Sequence, residues 1–106
     1  MKEEQALSLL GMATKAGKTV SGEDTVLQSI RSGTAYVVIV SREASERSKK
    51  TFKDKCTYYG VPCVLLGSKE ELGRHLGKIS RTVAAITDEG LGRSFYKLLE
   101  DPKGFE

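Results

Sequence analysis

Few side chains in this sequence are of the types that catalyse reactions or hold metal ions. The single histidine, His75, falls mid-helix with nothing near it in sequence to orient it as a general base, so we expect it on the surface. Cys56 and Cys63 lack Cys-x-x-Cys spacing, which predicts two partly buried thiols in a reducing cytosol. Asp88 and Glu89 stand where a strand passes into a helix, the usual place for a cap. The sequence therefore predicts no catalytic residue, no metal site, no cofactor and no enzyme.

The sequence does not indicate a nucleotide-binding site either. The chain contains neither G-x-G-x-x-G nor G-x-x-x-x-G-K-[ST]. The glycine-led helix start at Gly22 is followed by Glu23 and Asp24, which place negative charge where a mononucleotide phosphate would sit. A response-regulator receiver is excluded because Ser41, after a buried strand, offers no phosphoacceptor acid.

The helix start at Gly22 has features that suit RNA instead. Glycine lets a partner approach the backbone closely, and the N–H groups of a helix N-terminus attract phosphates. The turns that follow present hydrogen-bonding groups from Asp24, Thr25 and Gln28. An ordinary helix cap would explain the same residues.

The segment from Ser68 to Arg81 adds three more candidate contacts. Lys69 follows a capping serine and can act as a point charge, while Arg81 can bind phosphate through a bidentate fork. Ile79 lies in an exposed loop and could stack on an unpaired base, as is usual in RNA recognition. Each feature alone is also explained by a cap or a connecting loop. Their convergence is what indicates RNA.

The charge distribution favours the same partner weakly. The net charge is +3 and the pI about 8.9. From Asp88 onward the chain carries five acidic residues against three basic ones, so the positive excess lies upstream, at Lys15 and Lys18 and in the segments 42–55 and 69–81. Clusters of basic residues are typical of surfaces that bind a phosphate backbone. Ordinary solvent-exposed helix faces would give the same sequence pattern.

Helical and buried-strand patterns alternate along the chain, which predicts an α/β domain with a largely parallel or mixed sheet and helices on both faces. Ser21 is expected to cap the second helix with Asp24 in a capping-box variant, Ser68 the fourth, and Thr87 or Asp88 the fifth. Glycines end most of the helices, and Asp101-Pro102 ends the last. Helices are predicted over 4–16, 21–33, 45–59, 68–77 and 88–100, with inward Leu9, Leu27 and Tyr59 among others, and extended segments over 18–20, 35–40, 61–66 and 83–86.

Length and hydropathy set the class of protein. A chain of 106 residues fits one domain, taken here as 1–106 with a short tail at 101–106. The apolar runs are too short to span a membrane, and the charged N-terminal residues are unlike a signal peptide, so we expect a cytoplasmic protein with no membrane partner.

Several segments together resemble a known family. They are Lys18-Thr-Val-Ser-Gly-Glu-Asp24, Gly33-Thr-Ala-Tyr-Val-Val-Ile-Val40, Tyr59-Gly-Val-Pro62, Ser68-Lys-Glu-Glu-Leu-Gly73 and Ala85-Ile-Thr-Asp-Glu-Gly90. In order and spacing they are similar to the YlxQ-like bacterial branch of the kink-turn-binding ribosomal-protein superfamily. The resemblance implies a single-domain three-layer α/β/α sandwich with a mixed sheet of about four strands. It also implies binding to a kink-turn, a sharply bent RNA with tandem sheared G·A pairs.

The resemblance also assigns site residues. The family's glycine falls on Gly22, the Ser-Lys turn on Lys69, and the hydrophobic loop with its arginine on Ile79 and Arg81. The implied partners are a kink-turn-like RNA and ribosomal or other ribonucleoprotein proteins, with the chain itself a monomer. The complete set of candidate RNA-binding residues is Lys18, Gly22, Glu23, Asp24, Thr25, Gln28, Lys69, Ile79 and Arg81.

Three positions depart from the family pattern, which has asparagine, glutamate and lysine at Asp24, Thr25 and Gln28. Asp24 accepts but cannot donate, Thr25 lacks the carboxylate, and Gln28 replaces a charge-assisted hydrogen bond with a neutral one. Two hypotheses therefore stay open: RNA binding through the Gly22 and Ile79 face, or a protein-interaction adaptor whose RNA site has decayed.

Overall fold

The computed structural model describes residues 2–99 and contains a four-stranded mixed sheet in the order β1-β4-β2-β3. Strands β2 and β3 are parallel, whereas β4 is antiparallel to both β1 and β2. This confirms the predicted fold class and the mixed sheet of about four strands. The strands are β1 (Thr19–Ser21), β2 (Val37–Val40), β3 (Cys63–Leu65) and β4 (Val83–Ile86).

Five helices cover both faces of the sheet. They are α1 (Lys2–Lys15), α2 (Glu23–Ser32), α3 (Glu46–Tyr59), α4 (Lys69–His75) and α5 (Glu89–Leu98). Helices α1, α4 and α5 pack on one face around Leu10, Leu72 and Phe95, while α2 and α3 pack on the other around Ile30 and Phe52. Because alternate side chains of β2 and β4 enter the two cores, every residue of both strands is buried.

One predicted core position is wrong, since Tyr59 is 43% exposed. Leu9 and Leu27 are partly buried and pack against the two cores, as predicted. In α1 the fully buried side also includes Leu7. Tyr59 occupies the last turn of α3, beyond the buried Phe52 and Cys56, so its ring reaches the surface. The predicted helix stop at Asp101-Pro102 and the tail lie outside the described residues.

Helix caps fix where α4 and α5 begin. At α4 the predicted capping box is present: Glu71 N–H donates to Ser68 Oγ at 3.1 Å, and Ser68 N–H donates to Glu71 Oε1 at 2.9 Å. At α5 the cap is Asp88 rather than Thr87, since Leu91 N–H donates to Asp88 Oδ2 at 2.9 Å. Within residues 2–99 no helix combines the length and apolar character that crossing a membrane requires.

Replacing Ser68 by alanine should lower the free energy of unfolding by about 1 kcal/mol, because the first turn of α4 loses its side-chain acceptor. Urea denaturation measures this loss. The control is Ser94→Ala on the exposed side of α5, where alanine favours the helix and no loss is expected. Equal stability of the Ser68→Ala variant and the parent would contradict the capping role.

Candidate nucleic-acid interface

Three helices begin at the same end of the sheet. Helices α2, α3 and α4 follow β1, β2 and β3, and β4 enters the sheet from this end, so Ser21, Val40, Leu65 and Val83 lie side by side. We call this end, with the loops that join it, the candidate edge. Helix N-termini carry the positive end of the helix dipole and N–H groups with no partner inside the helix. Serine side chains cap α3 and α4, whereas no side chain caps α2, so acceptors and anions are favoured most at the start of α2.

Gly22 opens α2 at this edge in a conformation that other residues rarely adopt. Its backbone angles are φ 93° and ψ 148°, and no atom lies within 4 Å of where a Cβ would stand. Glycine is therefore needed for backbone conformation, and the space beside it is open to a partner. The predicted cap was wrong: Gly22 is the N-cap and no side chain caps α2, because Ser21 is the last residue of β1 and pairs with Ala84.

The first two turns of α2 present the predicted polar side chains to solvent. Asp24, Thr25 and Gln28 are exposed, and within residues 2–99 their side chains make no hydrogen bond or ion pair. Glu23 is also exposed, but its Oε2 accepts a hydrogen bond from Ser48 Oγ at 2.6 Å. Glu23 therefore ties α2 to the start of α3, while the other three remain available to a ligand.

The loop between α4 and β4 lies beside Gly22. Arg81 Nε donates to Ser21 Oγ at 3.2 Å, and Arg81 N–H donates to the carbonyl of Lys69 at 3.0 Å. Gly22 N–H in turn donates to the carbonyl of Val83 at 3.1 Å. Ile79, in the same loop, is 94% exposed. The structure thus brings the glycine-led helix start, the Ile79 loop and Lys69 together at one edge.

Sequence reasoning missed two residues that build this edge. Glu43, in the loop after β2, accepts from the N–H of Lys69 at 3.0 Å through its Oε1, and Ser48 binds Glu23. Both are contacts between separate elements. The sequence around Glu43 and Ser48 shows only that polar residues follow a buried strand, and it does not indicate which distant residues they contact.

Lys18 is the one predicted residue that the structure places elsewhere. Its carbonyl accepts from the N–H of Thr87 at 2.8 Å, and the next residue, Thr19, pairs with Ile86. These contacts lie at the opposite end of the sheet from Gly22. The three residues of β1 separate Lys18 from the candidate edge by about 10 Å at about 3.4 Å per residue.

The charges of the predicted residues at the candidate edge cancel. Lys69 and Arg81 are balanced by Glu23 and Asp24. Nearby, Arg42 donates hydrogen bonds to Glu3 across the start of α1, and these bonds hold the pKa of Glu3 below its ordinary value. These four predicted side chains therefore contribute no net charge to the candidate edge.

The described residues offer no metal site: no group of three or more His, Cys, Asp or Glu is placed to hold an ion in residues 2–99. His75 is partly buried rather than on the surface as predicted, because it packs against Gly11 of α1, and its Nδ1 lies 2.8 Å from the carbonyl of Glu71. Cys56 is buried and Cys63 partly buried, both as free thiols. A hydrogen bond with Cys56, together with burial, raises the pKa of the Cys63 thiol.

Comparison with known proteins decides the family. Residues 4–95 match the model of the Ribosomal protein L7Ae/L30e/S12e/Gadd45 family. The chain belongs to this family. That membership confirms the resemblance found in the sequence, and because the L7Ae/L30e/S12e/Gadd45 family is of ribosomal-protein type, it also confirms that the chain is not an enzyme.

Relatives within the L7Ae/L30e/S12e/Gadd45 family cover nearly the whole chain. The RNA-binding protein YlxQ of Bacillus subtilis is 44% identical over 92 residues, covering 87% of this chain and 92% of its own. YlxQ of Enterococcus faecium is 40% identical over 97 residues, covering 92% and 93%. The large ribosomal subunit protein eL8 of Thermoplasma volcanium is 27% identical, covering 89% and 78%.

Solved structures share the fold. A Bacillus halodurans protein of unknown function superposes with a TM-score of 0.87 at 36% identity, covering 90% of this chain and 96% of its own. A Giardia lamblia 15.5 kD RNA-binding protein superposes with a TM-score of 0.82 at 23% identity, covering 96% and 88%. At 23% identity, the similarity to the Giardia lamblia protein shows a shared fold only.

Proposed function

We propose that this protein binds structured RNA at the candidate edge and that its target is a kink-turn or a similarly bent RNA. One observation carries the proposal: the open backbone at Gly22 and the exposed Ile79 loop lie together, linked by the bond from Arg81 to Ser21. The two YlxQ relatives are RNA-binding proteins, which supports RNA as the ligand class.

The geometry assigns a separate task to each part of the edge. Gly22 allows the RNA backbone to come close, and the first turns of α2 offer the exposed side chains of Asp24 and Gln28 to base edges. Ile79 provides an exposed apolar surface that an unstacked base can cover. Arg81 binds phosphate from its anchored position, as does Lys69 at the start of α4. A bend in the RNA lets all of these contacts form at once.

The setting we propose is a cytoplasmic ribonucleoprotein, with the ribosome as the leading candidate. The eL8 relatives are proteins of the large ribosomal subunit by name. The charges of the four predicted residues at the candidate edge cancel. In an assembly, neighbouring proteins would add contacts to the RNA beyond those that the candidate edge makes. The protein enters such an assembly as a monomer.

The second candidate is a protein-interaction adaptor on the same fold. The balance of Lys69 and Arg81 against Glu23 and Asp24 favours it, because a site for a polyanion usually carries net positive charge. Under this reading the exposed Ile79 would contact a protein instead of a base.

Replacing Arg81 by alanine should weaken RNA binding about tenfold, equivalent to the loss of one charge-assisted hydrogen bond of about 1.5 kcal/mol. The slope of log K against log salt should also fall by about 0.9, since one fewer counterion is released. Titration of a kink-turn duplex at several salt concentrations measures both quantities.

The control variant is Lys18→Ala, which removes the same charge at the opposite end of the sheet and should leave affinity unchanged. Ser21→Ala is the second control, because it removes the partner of Arg81 Nε without changing charge. Binding by the parent that does not depend on salt would contradict a phosphate-contacting site. So would an equal loss of affinity in the Ser21→Ala and Arg81→Ala variants.

A further inference from the structure

Helix α3 carries as much net positive charge as the entire chain. Its five basic residues outnumber Glu46 and Asp54 by three, and the formal net charge of all 106 residues is +3. The rest of the sequence is therefore neutral on balance. Since polyanions are attracted to net positive charge, α3 is the surface that would draw RNA to this protein. The basic residues are Arg47, Lys49, Lys50, Lys53 and Lys55.

The positive charge of α3 begins at the candidate edge. Ser48, in the first turn, donates to Glu23 of α2, so the start of α3 adjoins the exposed face of α2. Arg47, next to Ser48, is exposed and makes no hydrogen bond or ion pair with any residue of 2–99. A ligand seated on α2 and the Ile79 loop would therefore meet the side chain of Arg47 as it leaves the edge.

Lys50 extends the positive surface one turn further along α3. Its side chain is 77% exposed and its Nζ lies 3.0 Å from Asp54 Oδ2. An exposed pair of this kind contributes little to stability, so a phosphate can replace the carboxylate at low cost. Arg47 and Lys50 are three residues apart and therefore neighbours on the helix surface.

We propose that the first two turns of α3 bind the sugar–phosphate backbone of a duplex arm of the RNA held at the candidate edge, an inference that rests on the proposed function. The contact adds affinity and steers association without reading sequence, since phosphates carry no base information. Helix α3 has 14 residues and is about 21 Å long, so it reaches an arm that leaves the bend on the side of α3. Helix α3 also adds net positive charge next to the predicted residues of the candidate edge, whose own charges cancel.

The test compares two double variants of equal composition. Arg47→Gln with Lys50→Gln removes one arginine and one lysine from α3. Lys15→Gln with Arg93→Gln removes the same pair from α1 and α5, which pack on the other face of the sheet. Lys15 ends α1 at the end opposite the candidate edge, and Arg93 lies beside Tyr36 and Pro62, which precede β2 and β3 at that end. Each variant is titrated with a kink-turn duplex that has full arms and with one whose arms are trimmed to the pairs beside the bend. All four sites are exposed, and thermal unfolding verifies that each variant folds.

On the full-arm RNA the α3 variant should bind about tenfold more weakly, with a salt slope shallower by about 1.8. The control variant should match the parent, since its charges lie on the other face of the sheet, away from both the candidate edge and α3. On the trimmed RNA the α3 variant should match the parent as well. Equal losses in both variants, no loss in the α3 variant, or a loss that persists on the trimmed RNA would each overturn the inference. A parent that binds neither RNA would instead refute the proposed function itself.

Discussion

Replacing Gly73 by alanine is expected to lower the free energy of unfolding by about 2 kcal/mol. A Cβ on Gly73 would lie 2.6 Å from the backbone nitrogen of Ser80 and 2.7 Å from the carbonyl carbon and oxygen of Ile79. Backbone atoms cannot rotate away as a flexible side chain can. The loop after α4 would have to move as a whole, and Ile79 with it. The same substitution should therefore weaken RNA binding under conditions where the variant is still folded.

The control for Gly73→Ala is Gly90→Ala in the first turn of α5. There the nearest atom to an added Cβ is Asp88 Oδ2 at 3.5 Å, an ordinary contact, so alanine should be neutral or slightly stabilising in the helix. Urea unfolding at constant m-value compares the two variants with the parent. A Gly73→Ala variant as stable as the parent would mean that the loop does not pack on α4 as described.

Replacing Gln28 by lysine is expected to raise affinity for a kink-turn RNA about tenfold. Gln28 is exposed near the start of α2 and makes no hydrogen bond within residues 2–99, so a lysine there can reach the RNA without breaking a contact. A charge-assisted hydrogen bond contributes about 1.5–3 kcal/mol against about 1 kcal/mol for a neutral one, and about 1.4 kcal/mol corresponds to a factor of ten. A filter-binding titration at fixed salt measures the change.

The matched control is Gln5→Lys, which makes the same change at the other glutamine of the chain, exposed on α1. A general effect of net charge would raise affinity equally in both variants and would contradict a specific role for position 28. If Gln28→Lys binds RNA and the parent does not, the adaptor hypothesis is favoured, because the edge would then be an RNA site that has lost its ligand.

The fold was predictable because its signals are local. Continuous apolar runs such as Val37–Val40 occur where a strand is covered on both faces, and Ser68 with Glu71 marks a helix start whatever surrounds it. The grouping of Gly22 with the Ile79 loop was predicted from the family resemblance, which carries information on which chain segments meet. Neither kind of signal depends on side-chain contacts between distant elements.

The remaining features of the edge depend on such contacts. Ser21 looked like a helix cap, but pairing with β4 holds it in a strand, where its hydroxyl accepts from Arg81 instead. Lys18 looked close to Gly22 in sequence, yet a strand of three residues lies between them and places them at opposite ends of the sheet. The contact of Glu43 with Lys69 spans 26 positions and left no pattern in the sequence.

Competition between a kink-turn duplex and a straight duplex of equal length and charge shows whether the candidate edge recognises bent RNA. Both RNAs offer the same phosphates, so a difference in affinity reports on the bend and the unstacked base. If Gly22, Ile79 and Arg81 form a surface for bent RNA, the kink-turn should bind at least about tenfold more tightly, a difference of about 1.4 kcal/mol. Equal affinity for the two duplexes, or no binding of either, would show that the candidate edge is not a site for bent RNA.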